Sequence, residues 1–235
     1  MERMVYMNSL EKEIINLYIN KLNVCKSAIC TECRAQQHVP LDFIGAWFVG
    51  NEFHNAMHQP LFVGKTARGG ADIVAYEDVF EISRKSLWNK SWPYWEYTRL
   101  ISNRIYSDDS PEHIAFTNIV KCNNSDGIDT TDYRRKINCI EKLKVLKQEI
   151  EIIKPKEVIF YTGRNYDQHI FNGENGLFDA FNIVSDGTKL IGAKDVPWRE
   201  GTACIGNVNF RFLRTGHPER KNKEDFVKAV ADWIN

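Results

Sequence analysis

Apolar side chains recur along this chain in two rhythms. In "SLEKEIINLYINKL", Leu10, Ile14, Leu17 and Leu22 fall at mostly helical spacing, with Asn8 or Ser9 placed to cap, so a helix is expected there. Short continuous apolar runs appear in "FIGAWFVG", "HIAFTNIV", "EVIFYTG" and "VNFRFLRTG", each stopping at small or polar residues as buried strands do. Between the second and third lies "DYRRKINCIEKLKVLKQEIEIIKP", in which Ile137, Ile140, Leu143, Leu146 and Ile150 keep helical spacing until Pro155 stops them. The segment "KEDFVKAVADWI" supplies a last amphipathic helix. Strands alternating with helices predict an α/β domain whose parallel sheet is covered on both faces. No repeat, low-complexity tract or linker divides the chain, so residues 1–235 are expected to form one domain, with an N-terminal helix within residues 1–27.

In open sheets of this kind, ligands bind beyond the carboxyl ends of the strands. That rule singles out "GNEF", "TNIVKC", "GRNYDQH" and "GHPERK".

A hydrophobic fraction of 43% and a charged fraction of 26% are ordinary for a soluble protein. No apolar stretch approaches the roughly 18 residues of a spanning helix, so a cytoplasmic protein without a membrane partner is expected. The 31 basic and 31 acidic side chains cancel, and any nucleic-acid surface has to be local. Six cysteines in a reducing compartment argue against a disulfide framework. Cys30 and Cys33 form a CxxC pair, which suits either a redox dithiol or half of a metal site. The tract "LWNKSWPYWEYTRLI" is dense in aromatics: Trp88, Trp92, Tyr94, Trp95 and Tyr97 suit a stacking surface or pocket rim, or equally the packing of an inserted helix.

The segments "CTECR", "FVGNEF", "QPLFVGKTARGG", "FTNIVKC", "NCIEKLKVLKQEIEIIKPKEVIFYTG" and "RTGHPER" occur in this order. From about residue 28 to the C-terminus they resemble the uracil-DNA glycosylase superfamily, most of all its family 4, the iron–sulfur branch. The resemblance implies a three-layer α/β/α fold around a central, mainly parallel four-stranded sheet. It implies a monomer acting on single- or double-stranded DNA, and a [4Fe-4S] cluster on Cys30, Cys33, Cys122 and Cys139, with zinc as the alternative occupant of four thiolates. Cys25 and Cys204 match nothing in the motif.

Cleaving a sugar–base bond passes through an oxocarbenium-like state, which a carboxylate near the sugar stabilises while positioning water. By resemblance Glu52 or Asn51 fills that role, although the family's Glu second and Pro fourth in this loop are replaced by Asn51 and Phe53. His217 matches the histidine that steadies charge on the departing base. Asn118 matches the asparagine that reads the flipped base, Phe62 the aromatic that stacks on it, and Phe53 lines the same pocket. An extra Leu61 before Phe62 departs from the family spacing. Lys65, Arg68, Arg214, Arg220 and Lys221 are the candidate DNA contacts.

The expected activity is that of a monofunctional DNA glycosylase that leaves abasic sites, with uracil as the default base. Two alternatives stand beside it. One is excision of modified bases from phage DNA as antiviral defence, and the other a non-catalytic DNA-binding member of the fold; fold alone establishes no chemistry.

Overall fold

A computed structural model of the chain describes residues 7–24, 26–34, 47–66, 80–108, 110–122 and 131–235. The first helix, α1 (Ser9–Asn16), begins at Asn8, which accepts the Glu11 amide while the Glu11 carboxylate accepts the Asn8 amide. This reciprocal cap satisfies two otherwise orphaned donors. A wider π-type turn at Leu17–Lys21 continues the helix, and α2 (Ala28–Arg34) carries the CxxC pair. Helix α3 (Pro93–Tyr106) starts on a proline, whose missing N–H costs nothing in a first turn.

The long helix expected before Pro155 is in two pieces. Helix α4 (Tyr133–Lys136) runs into a π-type segment at Ile137–Lys142, the chain turns left-handed at Lys144, and α5 (Val145–Ile153) follows. Helices α6 (Asp167–Ile170) and α7 (Lys223–Ile234) follow. Among the described residues no helix is long and apolar enough to cross a membrane.

The strands are β1 (Phe48–Val49), β2 (Pro60–Gly64), β3 (Ala115–Asn118), β4 (Glu157–Phe160), β5 (Ala180–Ile191), β6 (Lys194–Ile205) and β7 (Val208–Thr215). They form one mixed sheet in the order β1-β3-β2-β4-β7-β6-β5. The fold is α/β, but the sheet has seven strands among the described residues rather than four. Strands β3, β2, β4 and β7 are mutually parallel neighbours, whereas β1, β6 and β5 add antiparallel edges. The extra strands have physical reasons for being inconspicuous in sequence. Most of β5 is exposed at the sheet edge, so it lacks a continuous apolar run.

Side chains alternate across the sheet and feed two cores. Leu61, Val63, Val158, Phe160 and Phe212 pack under α1 and α5 with Ile14, Leu17, Leu146 and Ile150. Phe62, Phe116, Ile159, Tyr161 and Leu213 pack on the other side under α3 and α7 with Trp95, Ile101, Phe226 and Val230. The aromatic tract therefore divides: Trp88, Trp95 and Tyr97 are core residues, and Trp92 is exposed.

On the α1/α5 side a buried ion pair fixes the end of β3. Lys121 Nζ donates to Glu149 Oε2 and to Thr117 Oγ1, both at 2.6 Å, and also to the Asn118 carbonyl. The Tyr18 hydroxyl donates to the other Glu149 oxygen. Burial pulls the Lys121 ammonium below its usual range and pushes the Glu149 carboxyl above the carboxylate range, and their mutual attraction opposes both shifts. Removing one partner leaves an uncompensated buried charge. Glu149→Ala is therefore expected to lower stability by about 3–5 kcal/mol, measured by urea unfolding, and Lys121→Met combined with Glu149→Leu is expected to recover most of that loss.

Candidate functional site

The four parallel strands end together. Gly64 pairs with Asn118, the Tyr161 amide donates to the Val63 carbonyl at 2.9 Å, and the Gly163 amide donates to the Thr215 carbonyl at 2.9 Å. On the α3/α7 side of this row the Asn118 amide and the Tyr94 hydroxyl converge over Gly64. A Cβ on Gly64 would overlap Asn118 Oδ1 and approach the Tyr94 hydroxyl to 2.9 Å, so the close approach requires glycine. Tyr94 reaches in from the first turn of α3. Its ring centroid lies 5.7 Å from that of His217, with the planes tilted by 36°, and 5.3 Å from that of Tyr161, edge to face.

Two features give this spot chemical capacity. The Tyr94 hydroxyl is buried and makes no hydrogen bond, and burial holds its pKa well above the usual phenol range. His217, partly exposed, accepts the Glu219 amide at Nδ1 over 3.2 Å. A neutral imidazole that accepts at Nδ1 carries its proton on Nε2, so the other ring nitrogen is the donor.

The remaining residues nominated by sequence fall elsewhere. Because β1 runs antiparallel to β3, with Val49 opposite Ala115, the chain leaving β1 arrives at the amino end of β3. There the Gly50 amide donates to the Ile114 carbonyl, the Asn51 amide to Glu112 Oε2 and the Glu52 amide to the Glu112 carbonyl. Asn51 and Glu52 thus lie at the opposite end of the sheet from Asn118 and His217, and Phe53 is wholly buried in the α1/α5 core. Phe62 is also wholly buried, against Tyr161, so it offers no face for stacking.

Arg214 offers no DNA contact either. It is fully buried and donates to Asp167 Oδ2 at 2.8 Å. Lys65 follows β2 directly and lies near enough to Lys136 to depress its pKa, burial being the larger cause. Lys221 approaches Gly216, and Arg220 is exposed with left-handed backbone. Arg68 and Cys25 lie outside the described residues.

The four cysteines of the motif come from α2, the end of β3 and the π-type segment after α4, and none is in a disulfide. They lie within electrostatic reach: Cys30 and Cys33 raise the pKa of Cys122, and Cys122 and Cys30 that of Cys139, in each case after the larger effect of burial. Asn138 donates to Cys33 Sγ at 3.1 Å, and the Arg135 guanidinium acts on Cys33 and Cys122 with two of its nitrogens unbonded. Among the described residues no group of three or more His, Cys, Asp or Glu is spaced to hold a metal ion as the chain stands.

Gly64, Lys121 and Glu149 are the contributors that sequence reasoning missed, and Tyr94 was named only as one of five aromatics that suit a stacking surface or pocket rim. A signal existed for Gly64, the glycine ending the apolar run "PLFVG". Nothing in spacing separates Tyr94 from its core neighbours. No protein-family model matches the chain, and no curated protein matches it.

Thiol reactivity follows from burial. Cys139 is buried, and the Cys122 thiol, pushed up to about 12, stays protonated at pH 8. In chelator-treated protein at pH 8, iodoacetamide is expected to label Cys30 well before Cys122 and Cys139, as read by peptide mass spectrometry. Equal rates at the three positions would contradict the packing described.

Proposed function

We propose that the chain is a monofunctional DNA glycosylase with a uracil-DNA glycosylase-like arrangement of its four parallel strands. One observation carries it: Asn118 and His217, both nominated for base chemistry by the same resemblance, follow the carboxyl ends of β3 and β7, the outer strands of the parallel block, and Tyr94 lies between them. In this proposal a nucleotide leaves the duplex and its base enters beyond the carboxyl ends of β2, β3 and β7. The Asn118 amide, with both a donor and an acceptor, reads the pairing edge. His217 donates from Nε2 to the oxygen on which charge gathers as the bond breaks. Lys65, Lys136 and Lys221 meet the phosphates of the strand.

The water-handling role moves away from Glu52, whose loop serves the amino end of the sheet. The loop that leaves β2 at Gly64, beginning with Lys65 and Thr66, takes over as its source. Uracil is the default base, and modified phage bases are the alternative substrate class.

Cys30, Cys33, Cys122 and Cys139 would hold a [4Fe-4S] cluster, whose contribution is structural: it pins α2 to the end of β3 and to the segment after α4. What supports this is the donor set, four uncrosslinked thiols in electrostatic reach, with the Asn138 amide on one sulfur and a partly unbonded Arg135 beside them. Iron and sulfide analysis of protein purified without air tests it; a colourless protein that holds zinc alone would overturn the cluster.

The activity is tested on oligonucleotides bearing uracil, hypoxanthine, xanthine and modified cytosines, in single and double strands, with abasic sites revealed by alkaline cleavage. Asn118→Ala and His217→Ala are each expected to lower the rate by roughly 10²-fold or more. Glu52→Gln is expected to leave it near the wild-type value. Loss of activity with Glu52→Gln would return the site to the amino end of the sheet. DNA binding without any base release would select the non-catalytic alternative, which the displacement of Glu52 favours.

A further inference from the structure

We infer that Tyr94 is a base-reading residue, whose hydroxyl completes, with the Asn118 amide, the polar edge of a pocket for a flipped nucleobase. The inference rests on the glycosylase reading for the source of the ligand. Its geometry stands independently of that reading.

Tyr94 is placed differently from the aromatics of the core, although Trp88 Nε1 and the Tyr161 hydroxyl are likewise buried without a hydrogen bond. Trp88, Trp95 and Tyr97 sit in the α3/α7 core, and the Tyr97 hydroxyl finds the Lys221 carbonyl at 3.0 Å. The Tyr94 hydroxyl is carried past that core to the ends of β2 and β3, where it is buried and has no partner. Leaving a buried hydroxyl unpaired destabilises a fold, and a structural role would be met better by phenylalanine. The position is understandable if a ligand supplies the missing bond.

What surrounds the hydroxyl states the chemistry of that ligand. Gly64 lies beneath, and its missing side chain is what lets Asn118 Oδ1 and the Tyr94 hydroxyl come this close. One edge carries the Asn118 amide, which both donates and accepts. The partly exposed His217 ring stands 5.7 Å from the Tyr94 ring. A planar heterocycle with donors and acceptors along one edge suits the amide, the hydroxyl and the imidazole. Tyr94 adds one donor and one acceptor to the amide's pair and so narrows which pairing edge is accepted.

The test is a nuclear magnetic resonance titration of the full chain with free uracil, cytosine, hypoxanthine, xanthine and 5-hydroxymethylcytosine. Wild type and Tyr94→Phe are compared, and thermal melts are run alongside. At least one base is expected to bind the wild type, and Tyr94→Phe to bind it roughly tenfold or more weakly, the loss of about one hydrogen bond. The melting temperature of Tyr94→Phe is expected to equal or exceed that of wild type, because the ring stays and an unpaired hydroxyl goes.

Equal affinity in the two proteins overturns the inference, as does absence of binding by the wild type. Weakened binding accompanied by a lower melting temperature also overturns it, since that marks a packing role. Base binding that depends on Tyr94, in a protein that releases no base from DNA, would sink the glycosylase reading and leave the pocket assignment standing.

Discussion

Lys121 and Glu149 lose their hydration together when the chain folds, and only close geometry with further hydrogen bonds makes that tolerable. The pair draws in Thr117 and the Asn118 carbonyl from β3 and its end, Glu149 from α5, and Tyr18 from the N-terminal segment. Three separately folded pieces are thereby held in one register. On one side the arrangement sets the Asn118 side chain toward Gly64 and Tyr94. On the other, the Lys121 backbone hydrogen-bonds the Cys139 thiol, and the Cys122 carbonyl accepts the Thr66 hydroxyl at 2.7 Å. The short segment "TNIVKC" thus has separate tasks for its threonine, asparagine, lysine and cysteine.

Three of the four parallel strands, β3, β4 and β7, were legible because burial on both faces leaves continuous apolar runs, as in "EVIF" and in "AFTN" with its flanks, whereas β2, just as buried in "PLFVG", was not read as a strand. Edge structure was not legible. Strand β5 keeps its side chains largely in water, and its pairing with β6 is written in a turn at Gly192, φ 60, rather than in hydrophobicity. The helix before Pro155 had the right apolar spacing, yet spacing says nothing about a π-type turn or a left-handed Lys144.

Strand direction was the costlier omission. "FVGNEF" reads as a strand feeding a ligand loop, but only the partner strand decides which end of the sheet that loop reaches. Antiparallel pairing with β3 sends Asn51 and Glu52 to the amino end, where polar groups bind one another. Asn8 Nδ2 donates to the Val49 carbonyl at 2.9 Å, and Arg84 donates to the same carbonyl at 2.9 Å and to buried Glu11 at 2.8 Å. Burial raises the Glu11 pKa, and Arg84 opposes it. That loop fastens α1 to the sheet edge.

The carboxyl end is built the other way. The hydroxyls of Tyr94, Thr162 and Thr215 are buried there without hydrogen-bond partners, beside the ends of the parallel strands. Native proteins keep such unsatisfied groups few, because each costs stability that nothing in the folded chain returns. Gly64 adds a second constraint, since Asn118 and Tyr94 approach it where a side chain would otherwise sit. The amino end is thus tied together largely by its own side chains, whereas the carboxyl end leaves the hydroxyls of Tyr94, Thr162 and Thr215 without hydrogen bonds. The proposed ligand site beyond β2, β3 and β7 rests on that asymmetry more than on any single residue.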